Sequence, residues 1–335
     1  MVFYLNRLLS RTAVLSLSVL ALASSTTGVL AQTSTSRIEP SVDRSGTLRA
    51  AAELGTVEGN RLMQEAEQAI AAQDYVTASS KLQAARESLN NASLRYQELA
   101  AAFAGIDAEI TSDLRDRALE AAQMRDQASY QQALVYRAQS VPTRAVPLLI
   151  EIVQSQGPTR DLGQRAYQQL FELGFVSRAF RSPGSDASSD AALRSLGQPD
   201  SPIGIAASAS LIEAADEDFA NQNLDAAIDN LQTAREQLNQ LSGYYQTLVS
   251  VFNGVDTRVA DEARGQALDA AQLRDAATYQ QALVYRAQNR PELAVPLLVQ
   301  ILQSQNPTRE LGQQAYQQLF EIGFVTLPYP TATEE

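Results

Sequence analysis

The chain has 335 residues, 45% of them hydrophobic, with no Cys, His or Trp, Lys81 as its single lysine, and a formal net charge of -12. The acidic balance runs against a nucleic-acid binder, which displaces counterions from phosphate with a basic stripe, and against adsorption to an anionic membrane surface. Without Cys and His there are no disulfides, no thiolate metal site, none of the usual zinc ligands and no ordinary neutral-pH acid–base residue.

Residues 1–31 read as a signal peptide. Arg7 and Arg11 give a positive start, Ala13 to Ala23 an apolar core, and Val29-Leu30-Ala31 a small-residue cleavage site before Gln32. The apolar core is too short to span a bilayer comfortably. The expected location is the periplasm or another exported compartment, the thylakoid lumen if the cell is photosynthetic. No stable membrane insertion is expected after cleavage. Residues 32–54 are expected to be a flexible N-terminal segment.

The organising feature is an internal repeat. Tyr130 to Gln139 recurs unchanged as Tyr279 to Gln288, and the offset of 149 runs without a gap from Asn60 to Val176 against Ala209 to Val325. Two helical modules follow, 55–176 and 205–325. Between them 177–204 has the Ser, Pro, Gly and Asp content of a linker, and 326–335 forms a C-terminal tail. The copies are unevenly alike. Residues 115–176 keep 45 of 62 positions, whereas 60–114 keep 19 of 55, just over half of those apolar. Packing explains retained apolar residues. Retained polar ones need a further reason or a recent copying event.

Alanine, leucine and glutamine dominate and glycine and proline are sparse, which favours helix. The first part of each module contains a long amphipathic helix. Tyr75, Ala78, Leu82, Ala85, Leu89, Ala92, Tyr96, Leu99 and Phe103 follow a 3-4 spacing. Leu224, Ala227, Leu231, Ala234, Leu238, Leu241, Tyr245, Leu248 and Phe252 repeat it. Such a coiled-coil-like seam packs within the molecule or, in part, against another chain. Gly105 and Gly254 suit the stop of these helices, and Asp107 and Asp256 the cap of the next, expected over 107–125 and 256–274.

The segments that follow, Asp126 to Thr159 and Asp275 to Thr308, carry small and large residues at fixed positions. These are Ala133, Tyr136, Ala145, Leu149, Ile152 and Pro158, then Ala282, Tyr285, Ala294, Leu298, Ile301 and Asn306-Pro307. This pattern resembles a tetratricopeptide repeat. It departs from the family at Ser129 and Thr278, where an aromatic belongs, and at Ser140 and Asn289, where a glycine belongs. Pro147 and Pro296 fall inside the second helix and must sit in its first turn or kink it. A further helix, 160–173 or 309–322, looks like a cap that closes the stack. The resemblance implies an all-α fold of two tandem tetratricopeptide-like hairpin modules; its motifs report packing and carry no chemistry. The Tyr130–Gln139 segment and the signal peptide together resemble exported helical-repeat proteins of Gram-negative bacteria, cyanobacterial ones among them.

No catalytic constellation emerges, and no cofactor or metal is expected. Asp216, Glu217 and Asp218 are adjacent and point around a helix. Leu62-Met63-Gln64 faintly resembles a motif of lytic transglycosylases, without the accompanying Glu-Ser. The repeated polar residues are the better candidates for binding a protein or peptide: Arg125, Gln132, Arg137 and Arg160, with Arg274, Gln281, Arg286 and Arg309 in the second copy. The expectation is a non-catalytic binding scaffold in the cell envelope, with two lobes spaced by the linker. One alternative is a self-associating structural component, hence a homo-oligomer. The other is a carboxylate-dependent carbohydrate-active enzyme.

Overall fold

The computed structural model describes residues 44–180 and 204–330. The expected signal peptide and most of the expected linker lie outside the described residues. Ten helices and no strand occur among them. The first five are α1 (Arg44–Ala71), α2 (Tyr75–Phe103), α3 (Ala108–Ala138), α4 (Pro142–Gln156) and α5 (Asp161–Leu173). The next five are α6 (Ile205–Ala220), α7 (Leu224–Phe252), α8 (Thr257–Ala287), α9 (Pro291–Gln305) and α10 (Glu310–Glu321). From α2 to α4, both ends of each helix recur 149 residues later.

Local chemistry sets the helix ends. Asp107 accepts from the Glu109 and Ile110 amides at 2.9 and 3.0 Å, and Asp256 from the Arg258 amide at 3.0 Å. Gly105 and Gly254 take φ of 81° and 83°, a left-handed turn that is costly for other residues. Ser140 and Asn289, at the position where the family has glycine, keep that backbone at φ of 58° and 57°. Pro142 and Pro291 start α4 and α9, while Pro147 and Pro296 lie inside them, about one turn further on.

One expected boundary is absent. Instead of a helix ending near 125 and a new one beginning at Asp126, α3 runs unbroken to Ala138, and α8 to Ala287. No glycine or proline interrupts 108–138, and Asp126 is buried within the helix rather than capping a new one. Segments expected to be loose are also partly built in. α1 begins at Arg44 within the segment expected to be flexible. Phe180 packs on Phe252, and Tyr329 on Tyr316, with ring centroids 5.4 and 5.9 Å apart.

The seams are intramolecular over most of their length. Leu82, Leu89, Leu231, Leu238 and Leu248 are completely buried, with Ala78, Ala85, Ala227 and Ala234 between them. Each such leucine contributes roughly 1.5–3 kcal/mol of burial free energy. The alanines let α3 and α8 approach closely, and Ser93 Oγ donates to the Ala118 carbonyl at 2.9 Å across that contact.

The copies are not lobes held apart by a linker. One apolar cluster runs from Tyr130 through α4 and α5 into α7 and α8. Phe175 stacks on Tyr245 with centroids 5.0 Å apart, Tyr167 lies 4.7 Å from Phe252, and Arg178 pairs with Glu262 at 2.7 Å. Thus α5 does not close the stack. Module 2 covers it, and direct packing fixes the spacing of the copies.

Candidate functional site

Each module carries an open cleft between its two long helices and the helix that follows them, α2, α3 and α4 in module 1 and α7, α8 and α9 in module 2. In module 1 it measures about 540 Å³, lined by Gln83, Arg86, Glu87 and Asn90 of α2, Arg125 and Asp126 of α3, and Glu151, Gln154 and Ser155 of α4. In module 2 it measures about 560 Å³, lined by Gln232, Arg235, Glu236 and Asn239 of α7, Arg274, Gln281 and Tyr285 of α8, and Leu293, Leu297 and Gln300 of α9. The two quartets from α2 and α7 are the same residues 149 apart, spaced i, i+3, i+4, i+7 and therefore on one face.

The α3 and α8 walls are set by a buried carboxylate. Asp126 accepts from Ser155 Oγ and Gln156 Nε2, both at 2.6 Å, and from Arg125 Nε and Nη2 at 3.0 and 2.8 Å. Asp275 accepts from Gln305 at 2.6 Å and from Arg274 at 3.0 and 2.9 Å. The remaining Arg125 and Arg274 donors reach Asn90 and Asn239, each at 3.2 Å. Both arginines thus stand fixed in the cleft wall.

The two clefts differ at their central cation. Arg86 donates to Ser129 Oγ at 2.8 Å and Gln132 at 3.0 Å, and pairs with Glu151 at 3.2 Å. Arg235 donates to Gln281 and, at 3.3 Å, to Gln300, the residue at the position of Glu151. It has no ion pair among the described residues, and its Nε is buried without an acceptor. Burial, more than any neighbour, draws the Arg235 guanidinium below the usual arginine range. A carboxylate is the complement of such a group, because a guanidinium fork matches it in charge and shape.

The eight residues anticipated from the sequence separate into two groups. Arg125 and Arg274 line the clefts. Gln132 and Gln281 are buried, not exposed, and hold Arg86 and Arg235 in place. Gln132 also donates to the Ser79 carbonyl at 3.3 Å and to Tyr136 Oη at 3.2 Å. The other four lie outside. Arg137 and Arg286 brace the last helix of each module through Glu172 and Glu321, at 3.1 and 3.0 Å. Arg160 and Arg309 are exposed and precede α5 and α10. Much of the polar retention therefore has an architectural reason.

Arg86 and Arg235 were the residues missed. They are the one basic position kept in both copies of the diverged stretch, which was a readable signal. Among the described residues no group of three or more carboxylates is placed to hold a metal ion. Asp216 instead accepts from Gln280 at 3.1 Å, and Asp218 from Asn230 at 2.9 Å. Leu62 of the Leu-Met-Gln segment is core. The chain matches no model of a known protein family and no curated protein.

Proposed function

We propose that this chain is a non-catalytic binding scaffold whose second cleft receives an acidic segment of a peptide or protein partner. The observation carrying this reading is Arg235: a part-buried guanidinium with no ion pair among the described residues, beside a second fixed guanidinium at Arg274 and an apolar wall of Tyr285, Leu293 and Leu297. A ligand carboxylate would accept from the exposed Nη2 edge of Arg235, where Gln300 now accepts at 3.3 Å, and its neighbouring apolar atoms would lie on that wall. Retention of Gln83, Arg86, Glu87 and Asn90 in the stretch that keeps only 19 of 55 positions supports a role for this face beyond core packing. An envelope or other exported location remains part of the proposal, resting on residues 1–31.

Titration calorimetry of the chain against a panel of short acidic peptides tests the reading. Saturable binding is expected, weakened at least about tenfold (about 1.4 kcal/mol) by Arg235→Gln, on the scale of a charge-assisted hydrogen bond. Binding untouched by that substitution, or absent across the panel, would remove the acidic-segment reading.

A further inference from the structure

The contact that joins the two modules has a half left over at each end of the molecule. On the module 1 side it is made by Phe175, Tyr167 and Phe180, and on the module 2 side by Tyr245, Leu248, Phe252 and Val259. The repeat supplies both sets again. The C-terminal end of module 2 carries Phe324, Tyr316 and Tyr329, and the first long hairpin of module 1 carries Tyr96, Leu99, Phe103 and Ile110.

Burial separates three of the used positions from their unused counterparts, whereas Tyr96, at 8%, is already covered within its own hairpin by Ala118 and Ala121. Phe175 is 6% exposed and Phe324 59%; Leu248 is 0% and Leu99 47%; Val259 is 3% and Ile110 41%. These are the same positions in the two copies, Phe175 and Phe324 just past the last helix and the others within equivalent helices, so the difference is the missing neighbour. It also explains why Leu99, late in the α2 seam, is left half-exposed where its counterpart in α7 is buried.

The free C-terminal half is already shaped. In module 1, Tyr167 Oη donates to the Arg178 carbonyl at 3.0 Å and Tyr167 meets Phe180 edge-on at 6.3 Å. In module 2, Tyr316 Oη donates to the Leu327 carbonyl at 3.0 Å and Tyr316 meets Tyr329 edge-on at 5.9 Å. The strap after the last helix thus takes its docking form without a partner, which lowers the ordering cost of association. At the other end, α1 packs on the Ala78–Leu89 part of α2 and leaves the Leu99 end open.

We infer that a second copy of this chain seats its Phe324 and Tyr316 end on the Leu99, Phe103 and Ile110 end of the first, by the same contact that joins module 1 to module 2. The interface is heterologous, so each added copy presents a fresh end and assembly proceeds to a filament or a closed ring. It is weaker than the internal contact. The Arg178–Glu262 ion pair becomes Leu327 opposite Asp113, Tyr244 becomes Arg95, and no chain connection raises the effective concentration.

Sedimentation velocity on the full chain, from micromolar concentration to its solubility limit, tests the inference. Species larger than a dimer are expected to grow with concentration. Phe324→Asp and Leu99→Asp should each give monomers, both side chains being exposed enough for the fold to survive, as circular dichroism would check. An equimolar mixture of the two should give a dimer and nothing larger, since one intact end of each kind remains. Leu327→Asp and Ile110→Asp serve as a second pair should either variant lose helicity. A wild-type monomer throughout, a dimer that never extends, a mixture that stays monomeric, or association that survives both substitutions would each overturn it. The last would assign association to another segment of the chain.

Discussion

Asp275 and Gln305 meet at 2.6 Å across thirty residues of chain, and Asp126 and Gln156 meet at the same distance one module earlier. Both carboxylates are buried inside a long helix and tie it to the end of the next. Asp275→Ala would leave the Arg274 fork and the Gln305 amide without their acceptor. The expected loss is about 3 kcal/mol, the usual scale for breaking a buried charged pair. Asp275→Asn should lose less, since its carbonyl still accepts. Urea denaturation of the three chains measures both.

The same aspartate shows where sequence reading stopped. Alanine and leucine spacing, the offset of 149, Asp107 as a cap and Gly105 as a stop were all legible, because each depends on neighbours in sequence. Asp126 looks like the start of a unit because the tetratricopeptide-like frame of Ala133, Tyr136 and Ala145 begins there; its burial depends on Ser155 and Gln156, about thirty residues away. Likewise Tyr167 and Phe171 look the same in sequence whether they cap a stack or join it to the next module. Gln132 and Gln281 passed for surface residues because nothing in an amide side chain announces burial. The clefts were half legible. Arg125 and Arg274 fell in the well-kept stretch, whereas Arg86 and Arg235 lay among residues that had diverged.

Gly163 approaches the preceding turn so closely that a Cβ there would lie 1.9 Å from the Gly157 carbonyl oxygen. Gly163→Ala must push α5 off that turn, with an expected cost of about 2 kcal/mol or more, the scale of core overpacking. Gly243, inside α7, has nothing within 4 Å of its virtual Cβ. Gly243→Ala should instead stabilise by up to about 1 kcal/mol through helix propensity. Thermal unfolding of the two variants should shift in opposite directions.

Ser140 holds a φ of 58° at an exposed turn, where its amide donates to the Arg137 carbonyl at 3.0 Å. Glycine occupies that conformation without the Cβ clash and keeps the same backbone bond. Ser140→Gly should stabilise by about 0.5–1 kcal/mol, relief of left-handed strain outweighing the extra freedom of the unfolded chain. Chemical denaturation at constant m-value would check it.

Burial, and after it the nearby Glu262 carboxylate, pushes the Tyr245 hydroxyl up to about 12. In the unfolded chain a tyrosine ionises near 10. The protonated phenol therefore favours the folded state. Its contribution is complete below about pH 10 and is lost as pH rises toward 12, by about 2–3 kcal/mol in all. Tyr167 is shifted in the same direction by the same cause. Stability should fall across that window, and Tyr245→Phe should flatten the fall. The variant starts about 1 kcal/mol lower, having lost the bond to the Phe175 carbonyl. Denaturation series at stepped alkaline pH would resolve the difference in slope.

The difference between the clefts can be moved from one to the other. Arg86 has Glu151 at 3.2 Å, while Arg235 has Gln300 at 3.3 Å in its place. Gln300→Glu should give Arg235 an internal carboxylate and stabilise module 2 by no more than about 1 kcal/mol, since the pair is partly solvated. The same substitution fills the acceptor site that an acidic ligand would use and adds a like charge beside it. Peptide affinity at the second cleft should therefore drop at least about tenfold. Glu151→Gln does the reverse, releasing Arg86 and making the first cleft resemble the second. Calorimetric stoichiometry reads both exchanges together: one peptide per chain in the wild type, two in Glu151→Gln, and one again when both substitutions are combined, now at the first cleft. A stoichiometry unmoved by either change would mean that the arginine–carboxylate balance does not govern what these clefts accept.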